Sequence, residues 1–193
     1  MFILNAIKII FLLGFLIFIH EGGHFIVAKL CKVKVNEFAI GFGRKIFQKQ
    51  KGETKYTLRL IPLGGFVSME GETEYSEEQG SFTKASIPKR MAIVAAGGIV
   101  NILFAVIVYF IVMLNIMYVN DIPGVPDTLS GKIGYVATQT GEFAFSAIDS
   151  LKMLVTGRVT TNDLMGPVGI STIISQTNNF REFFYMMALI SLS

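Results

Sequence analysis

The sequence predicts an α-helical multi-pass membrane protein with a small membrane-associated β-sheet between its first two transmembrane helices. Three observations lead there. Ile9 to Ile19 are eleven apolar or glycine residues without a break, and Met91 to Tyr118 are 28 residues without a charge. A helix of about 20 apolar residues crosses the hydrocarbon of a bilayer. Between the two stretches the pattern changes to period two: Lys55-Tyr56-Thr57-Leu58-Arg59-Leu60 alternates polar and apolar residues, the signature of a half-buried strand. Composition agrees, with 52% of the 193 residues hydrophobic and a mean hydropathy of +0.57, too apolar for an ordinary soluble domain.

The first helix is expected from about Ile3 to Leu30, within a segment 1–31. Lys8 lies near one end, where its stem can reach the interface. No small-residue cleavage site precedes the first histidine, so the segment reads as a retained membrane helix rather than a signal peptide. Lys29, Lys32 and Lys34 then mark an aqueous boundary. Three lysines outweigh the single Lys8, so this side reads as cytoplasmic and the N-terminus as extracytoplasmic, with the protein in the cell membrane. Of the 17 Lys and Arg residues, twelve fall between Lys29 and Arg90. Their distribution fits membrane orientation, and no interleaving with aromatics points to nucleic acid. The single cysteine, Cys31, excludes an intrachain disulfide and reads as an inert residue at the apolar boundary.

Residues 32–90 are expected to form a cytoplasmic β region followed by an acidic loop. Lys51-Gly52-Glu53 is a turn between two alternating runs, so at least one hairpin falls within Val33 to Met69. An open sheet edge there could pair with an extended peptide. The acidic run Glu70 to Glu78 reads as a solvated loop. The second membrane helix covers 91–118, with Lys89 and Arg90 before it. Gly97, Gly98 and Asn101 are its small or polar positions, assigned to close helix packing and an interhelical hydrogen bond. Residues 119–182 are expected to hold an extracytoplasmic loop from Asn120 to Gly131 and an interfacial amphipathic helix from Glu142 to Thr156, with Phe143, Ala147, Leu151 and Leu154 near one face. Gly166-Pro167 breaks the chain before a third membrane helix beginning at Phe183. Its eleven residues to Ser193 reach only about 16 Å, so the chain is expected to stop inside an element.

The chemistry-bearing motif is His20-Glu21-Gly22-Gly23-His24. It contains the chain's only two histidines and matches H-E-x-x-H. Four residues is just over one helical turn, so both imidazoles fall on one face, where one metal ion can take both. Glu21 stands beside them, where a carboxylate can take a proton from a bound water. Short motifs recur by chance and a buried histidine is ordinarily a hydrogen-bonded core residue. Here, however, both histidines sit in an apolar segment, where ionisable groups are costly and mark function. Gly22 and Gly23 each cost about 1 kcal/mol of helix propensity relative to Ala and allow close approach of a neighbouring backbone or substrate.

These residues resemble the site-2 protease family of intramembrane zinc metalloproteases. Ile40–Phe47 (IGFGRKIF), Leu58–Glu72 (LRLIPLGGFVSMEGE), Lys89–Ala105 (KRMAIVAAGGIVNILFA) and Thr156–Ser171 (TGRVTTNDLMGPVGIS) are similar to its bacterial regulator-of-sigma-E protease branch and occur in that order. The resemblance implies a Zn2+-dependent protease that hydrolyses peptide bonds of transmembrane protein substrates, with His20 and His24 as zinc ligands. Glu21 would be general base, then proton donor to the leaving amine. The sheet would present substrate as an extended strand, which suits the chemistry, since a helix hides its scissile carbonyl in backbone hydrogen bonds.

Three departures accompany the resemblance. The family's third ligand is an Asp in an L-D-G sequence, which is absent here; Asp121, Asp127, Asp149 and Asp163 all lie in other contexts, and Asp163, just before Gly166-Pro167, is not promoted to ligand. That branch usually carries an extracytoplasmic PDZ domain after the second membrane helix, but the 14 residues between Tyr118 and Ile133 are far short of the roughly 50 a domain requires. Gly98 stands where the family often has Pro. Catalytic zinc ordinarily takes three protein ligands, so the chain is expected to be a fragment of a protease, with an inactive homologue as the second reading. The alternative function is a non-catalytic membrane protein that binds transmembrane partners through the sheet edge. A metal-transport or metal-sensing helix pair is disfavoured by the small number of His and Cys side chains.

Overall fold

The computed structural model describes residues 2–119, 124, 125, 127–156, 174, 177 and 179–192. Their elements run α1 (Phe2–Leu30), β1 (Val35–Lys51), β2 (Thr54–Met69), α2 (Ile87–Val119), α3 (Leu129–Val155) and α4 (Phe180–Leu192). The chain divides into two compact units, Met1–Asn101 and Ile102–Ser193.

In the first unit, α1 ends by a defined stop. Lys32 adopts a left-handed backbone with φ 60°. The Val33 amide donates to Ala28 O at 2.8 Å and the Lys32 amide to Lys29 O at 3.0 Å, the paired bonds of a Schellman cap. The usual apolar contact accompanies them, since Val33 and Ala28 are buried in one cluster. The chain then enters β1 as expected.

The two strands pair antiparallel around a tight turn, with Lys51 opposite Thr54. Gly52, first of the two turn residues, has φ +61°, as a II′ hairpin requires. Both strands are long and bent. Gly41 turns β1 with φ +87°, and a Cβ there would meet Ile61 O at 2.7 Å. Bending lets residues pair on both sides. Lys55 to Leu58 face Gln50, Lys49, Gln48 and Phe47 on one flank and Glu37 to Ile40 on the other. Glu37 to Ile40 in turn face Ser68, Val67, Phe66 and Gly65. The sheet therefore reads, edge to edge, as residues 45–51, 54–58, 37–40 and 65–69.

Directly opposed residues share a face. Alternation puts Phe38, Ile40, Phe47, Tyr56 and Leu58 on the face toward α1. Phe38 packs on Phe25 with ring centroids 5.2 Å apart and on Phe18 at 6.0 Å. Glu37 and Arg59 form an ion pair at 3.0 Å, and Arg59 also lies over the Phe66 ring at 5.0 Å. The sheet runs alongside α1. Its turn is tied to the helix end by Lys29–Glu53 at 2.6 Å, while the bend at Pro62 reaches Gly14, where an added Cβ would lie 2.9 Å from Pro62 O. Fifteen helical residues, about 22 Å, separate those two levels.

The acidic run folds back on the sheet's base rather than standing free. Lys34 bonds Glu78 at 2.6 Å, Asn36 donates to Glu70 at 3.0 Å, and Glu72 accepts from the Met69 amide at 3.2 Å.

α2 starts four residues earlier than the charge-free stretch, because Pro88 in its first turn presets a helical φ and needs no donor there. α1 and α2 are each long and apolar enough to cross a membrane. In the second unit, Tyr109 stacks on Phe143 at 4.1 Å and lies 5.9 Å from Tyr185, within a cluster holding Ala105 and Ala188. α3 is longer than the expected Glu142–Thr156 helix and takes in Leu129 to Gly131, which were expected to be loop. Thr128 starts it by accepting from the Gly131 amide at 3.2 Å; the Gly131, Gly134 and Gly141 positions weaken the local helix signal that would have placed that start. Of the residues assigned to its apolar face, Phe143 is buried, and the side chains of Ala147, Leu151 and Leu154 lie outside the described residues. α4 begins at Phe180, capped by Asn179, whose side-chain oxygen accepts from the Glu182 amide at 3.0 Å while its side-chain amide donates to the Glu182 carboxylate at 2.9 Å. The expected break at Gly166-Pro167 lies outside the described residues.

Candidate metal centre

The histidine pair sits where α1 meets α2 within the first unit. Gly23 makes that contact possible: a Cβ there would come 2.7 Å from Ala96 O and 3.1 Å from Val100 Cβ. The facing residues of α2, Ile93, Gly97 and Asn101, recur every four positions and so share a face.

Each contributes differently. His24 Nδ1 lies 2.7 Å from Ile93 O. A carbonyl only accepts, so Nδ1 carries the proton and Nε2 of the neutral ring keeps its lone pair. That lone pair lies 3.2 Å from His20 Nε2. His20 Nδ1 is 3.3 Å from the Asn101 amide group. With the amide nitrogen toward the ring, a relay forms: Asn101 donates to His20, His20 Nε2–H to His24, and His24 to Ile93. With the amide turned over, its oxygen accepts from Nδ1–H and His20 Nε2 is released as a second ligand; the two orientations are nearly identical in shape. Gly97 supplies the room. A Cβ there would fall 2.5 Å from His24 Nε2 and 2.6 Å from His20 Nε2.

The donors fit one divalent ion. Two nitrogens about 2.05 Å from a tetrahedral metal lie about 3.3 Å apart, matching the separation found. Among the described residues, no group of three or more His, Cys, Asp or Glu side chains is placed to hold a metal. Asp163 lies outside the described residues. Cys31 packs against the cluster of Val33, Val35 and Phe38.

Glu21 and His24 line a cavity of about 320 Å³ with Phe66, Met69, Glu72 and Ile93. The 65–69 edge of the sheet thus borders the motif. Gly65 brings it close, since a Cβ there would lie 3.2 Å from Glu21 Cγ.

Sequence reasoning placed the HEGGH residues but missed Ile93, Gly65 and Glu72 as their neighbours; it assigned Gly97 to packing, and the interhelical hydrogen bond it expected of Asn101 is found, with His20 as the partner. The four-residue spacing of 93, 97 and 101 was visible, yet only the crossing of α2 over the motif gives that face its meaning.

A family model described as peptidase family M50 matches residues 8–193. The chain belongs to peptidase family M50. This is the site-2 protease family that the motifs resemble. The M50 chain is 43% identical over 111 residues to a Clostridium acetobutylicum protein named "Putative zinc metalloprotease", covering 58% of this chain and 33% of that one. It is 40% identical over 140 residues to a protein of the same description from Neisseria meningitidis serogroup A, covering 68% and 31%. Over 188 residues it is 30% identical to Protease RseP of Yersinia pestis, covering 89% of this chain and 41% of that protein. The chain spans about a third of the length of the first two relatives.

Proposed function

We propose that this M50 chain is part of an intramembrane zinc metalloprotease that cleaves transmembrane protein substrates. His20 and His24 bind zinc, and Glu21 is the general base. The observation that carries this reading is the His24–Ile93 hydrogen bond, which leaves a ligand lone pair 3.2 Å from a second imidazole nitrogen beside a carboxylate.

When bound, zinc supplies a Lewis acid that acidifies water and polarises a carbonyl. The chain's own residues do the rest. Ile93 holds the His24 tautomer and Asn101 orients His20. Glu21 accepts the proton of the attacking water and returns it to the departing amine. The 65–69 edge holds an unwound substrate segment as an added strand next to Glu21. Unwinding is required because a helical substrate has its carbonyls engaged.

The membrane placement rests on the two long apolar helices, whose most apolar windows are only 11% and 17% buried. Ile3, Phe11, Ile26, Val94 and Leu103 are among their exposed residues, a surface that lipid solvates and water does not. The lysines from Lys29 onward set the cytoplasmic side, with the N-terminus outside. The sheet then enters the bilayer from the cytoplasm, leading with exposed Phe42, Leu60, Ile61 and Leu63 at its bends.

The test is cleavage of a transmembrane substrate in detergent by the protein and by Glu21→Gln. Loss of about 10²- to 10⁴-fold in the variant, with zinc content kept, is the expected result. Equal cleavage by both would falsify the role of Glu21. Substrate capture by both without cleavage by either would favour the partner-binding reading.

A further inference from the structure

An apolar groove opens on the side of α1 away from the histidines. Phe18, Gly22 and Ile26 form one wall, and Ile40, Phe47 and Leu58 of the sheet form the other. Its volume is about 600 Å³, within the roughly 300–1,000 Å³ of ligand sites. Packing leaves it unfilled: Ile26 is 56% and Phe47 59% exposed, and a Cβ on Gly22 would meet nothing within 4 Å.

Both walls end in lysine at the same end. On α1, Lys29 follows Ile26 by three residues and Gly22 by seven, the spacing of one helix face. On β1, Lys49 and Lys51 follow Phe47 at period two, and Lys49 is opposite Tyr56, which also lines the groove. Lys29 is engaged by Glu53 at 2.6 Å. Lys49 and Lys51 are exposed and supply net positive charge at the rim. The groove thus grades from a floor that is apolar apart from Thr57, through the amphipathic Tyr56, to a cationic rim. That sequence of chemistries matches an acyl chain, an ester and glycerol region, and a phosphate.

We propose that the groove binds one anionic phospholipid, with an acyl chain along Phe18, Ile26, Ile40 and Leu58 and its headgroup at Lys49 and Lys51. The polarity agrees with the membrane placement argued above, on which this inference rests. The lysine rim lies at the Lys29 end of α1, where headgroups would be, and the apolar floor lies deeper. A zwitterionic lipid satisfies the floor but not the rim. A substrate helix would satisfy the floor but gains nothing from two lysines.

The test is native mass spectrometry of the protein taken from nanodiscs holding equal phosphatidylglycerol and phosphatidylcholine. Wild type is expected to retain phosphatidylglycerol at least fivefold over phosphatidylcholine. Lys49→Gln with Lys51→Gln should abolish the preference, Ile26→Trp should expel lipid by filling the floor, and Lys89→Gln, outside the groove, should change nothing. Equal retention of the two lipids by wild type, or a preference that survives the double substitution, overturns the proposal while leaving the protease reading intact. Release of the protein from membranes by alkaline carbonate would overturn the membrane placement itself, and this inference with it.

Discussion

Nδ1 of His24 donates to the backbone carbonyl of Ile93 at 2.7 Å. Because a backbone carbonyl cannot reorient without breaking α2, the bond fixes the tautomer of His24 more firmly than a mobile side chain could. It also ties the register of α2 against α1 to the motif, so that Gly97 and Asn101 arrive at the imidazoles one and two turns later.

Gly97→Ala tests that register. The new methyl would fall within 2.5–2.6 Å of both Nε2 atoms, so zinc per protein, read by elemental analysis, is expected to drop at least tenfold. Alanine gains about 1 kcal/mol of helix propensity over glycine, so the thermal midpoint should hold or rise. A fall in both together would mean the helix contact, not the ligand geometry, had been lost.

At Asn101, the amide contact with His20 Nδ1 predicts a split between two variants. Asn101→Leu keeps size but offers no acceptor, and zinc affinity should fall about 10- to 100-fold, as for other residues that orient metal ligands. Asn101→Asp keeps an acceptor for Nδ1–H and should retain most of the affinity. Competition with a chromogenic chelator distinguishes them, and equal loss in both would assign Asn101 to packing alone.

Gly65→Val addresses the sheet edge. Its Cβ would meet Ala39 O at 2.9 Å and Glu21 Cγ at 3.2 Å, forcing the edge away from the carboxylate. Cleavage should fall by at least tenfold with zinc content unchanged. Loss of zinc instead would show that the edge supports the metal ligands rather than the substrate.

The base of the sheet should weaken in acid. The hydrogen bond from Asn36, with further help from Ser76, outweighs partial burial and, together with Lys34, holds the Glu70 carboxyl below the usual range. A carboxylate whose folded-state pKa is depressed contributes stability above its unfolded value, about 4.3; that contribution is lost as pH falls through the folded value. The thermal midpoint is therefore expected to fall below about pH 4, with a smaller fall in Asn36→Ala. An unchanged acid dependence in that variant would remove Glu70 from the account.

The sequence by itself determined the elements whose signal is local. Long uncharged runs marked α1 and α2, period-two alternation marked both strands, and Gly52 marked their turn. It also placed His20, Glu21 and His24 on one helix, because four-residue spacing in a helix leaves little freedom. Where three glycines diluted the helix signal, the start of α3 was missed. Only the tertiary structure decided which face of α2 meets the motif, that Gly97 and Asn101 serve the imidazoles, and that the 65–69 edge lies against Glu21. Those relationships join residues 44 to 81 positions apart in the chain. Periodicity says which side chains share a face, but the partner of that face is set by close packing between elements, through contacts such as Gly23 on Ala96 that carry no pattern along the chain.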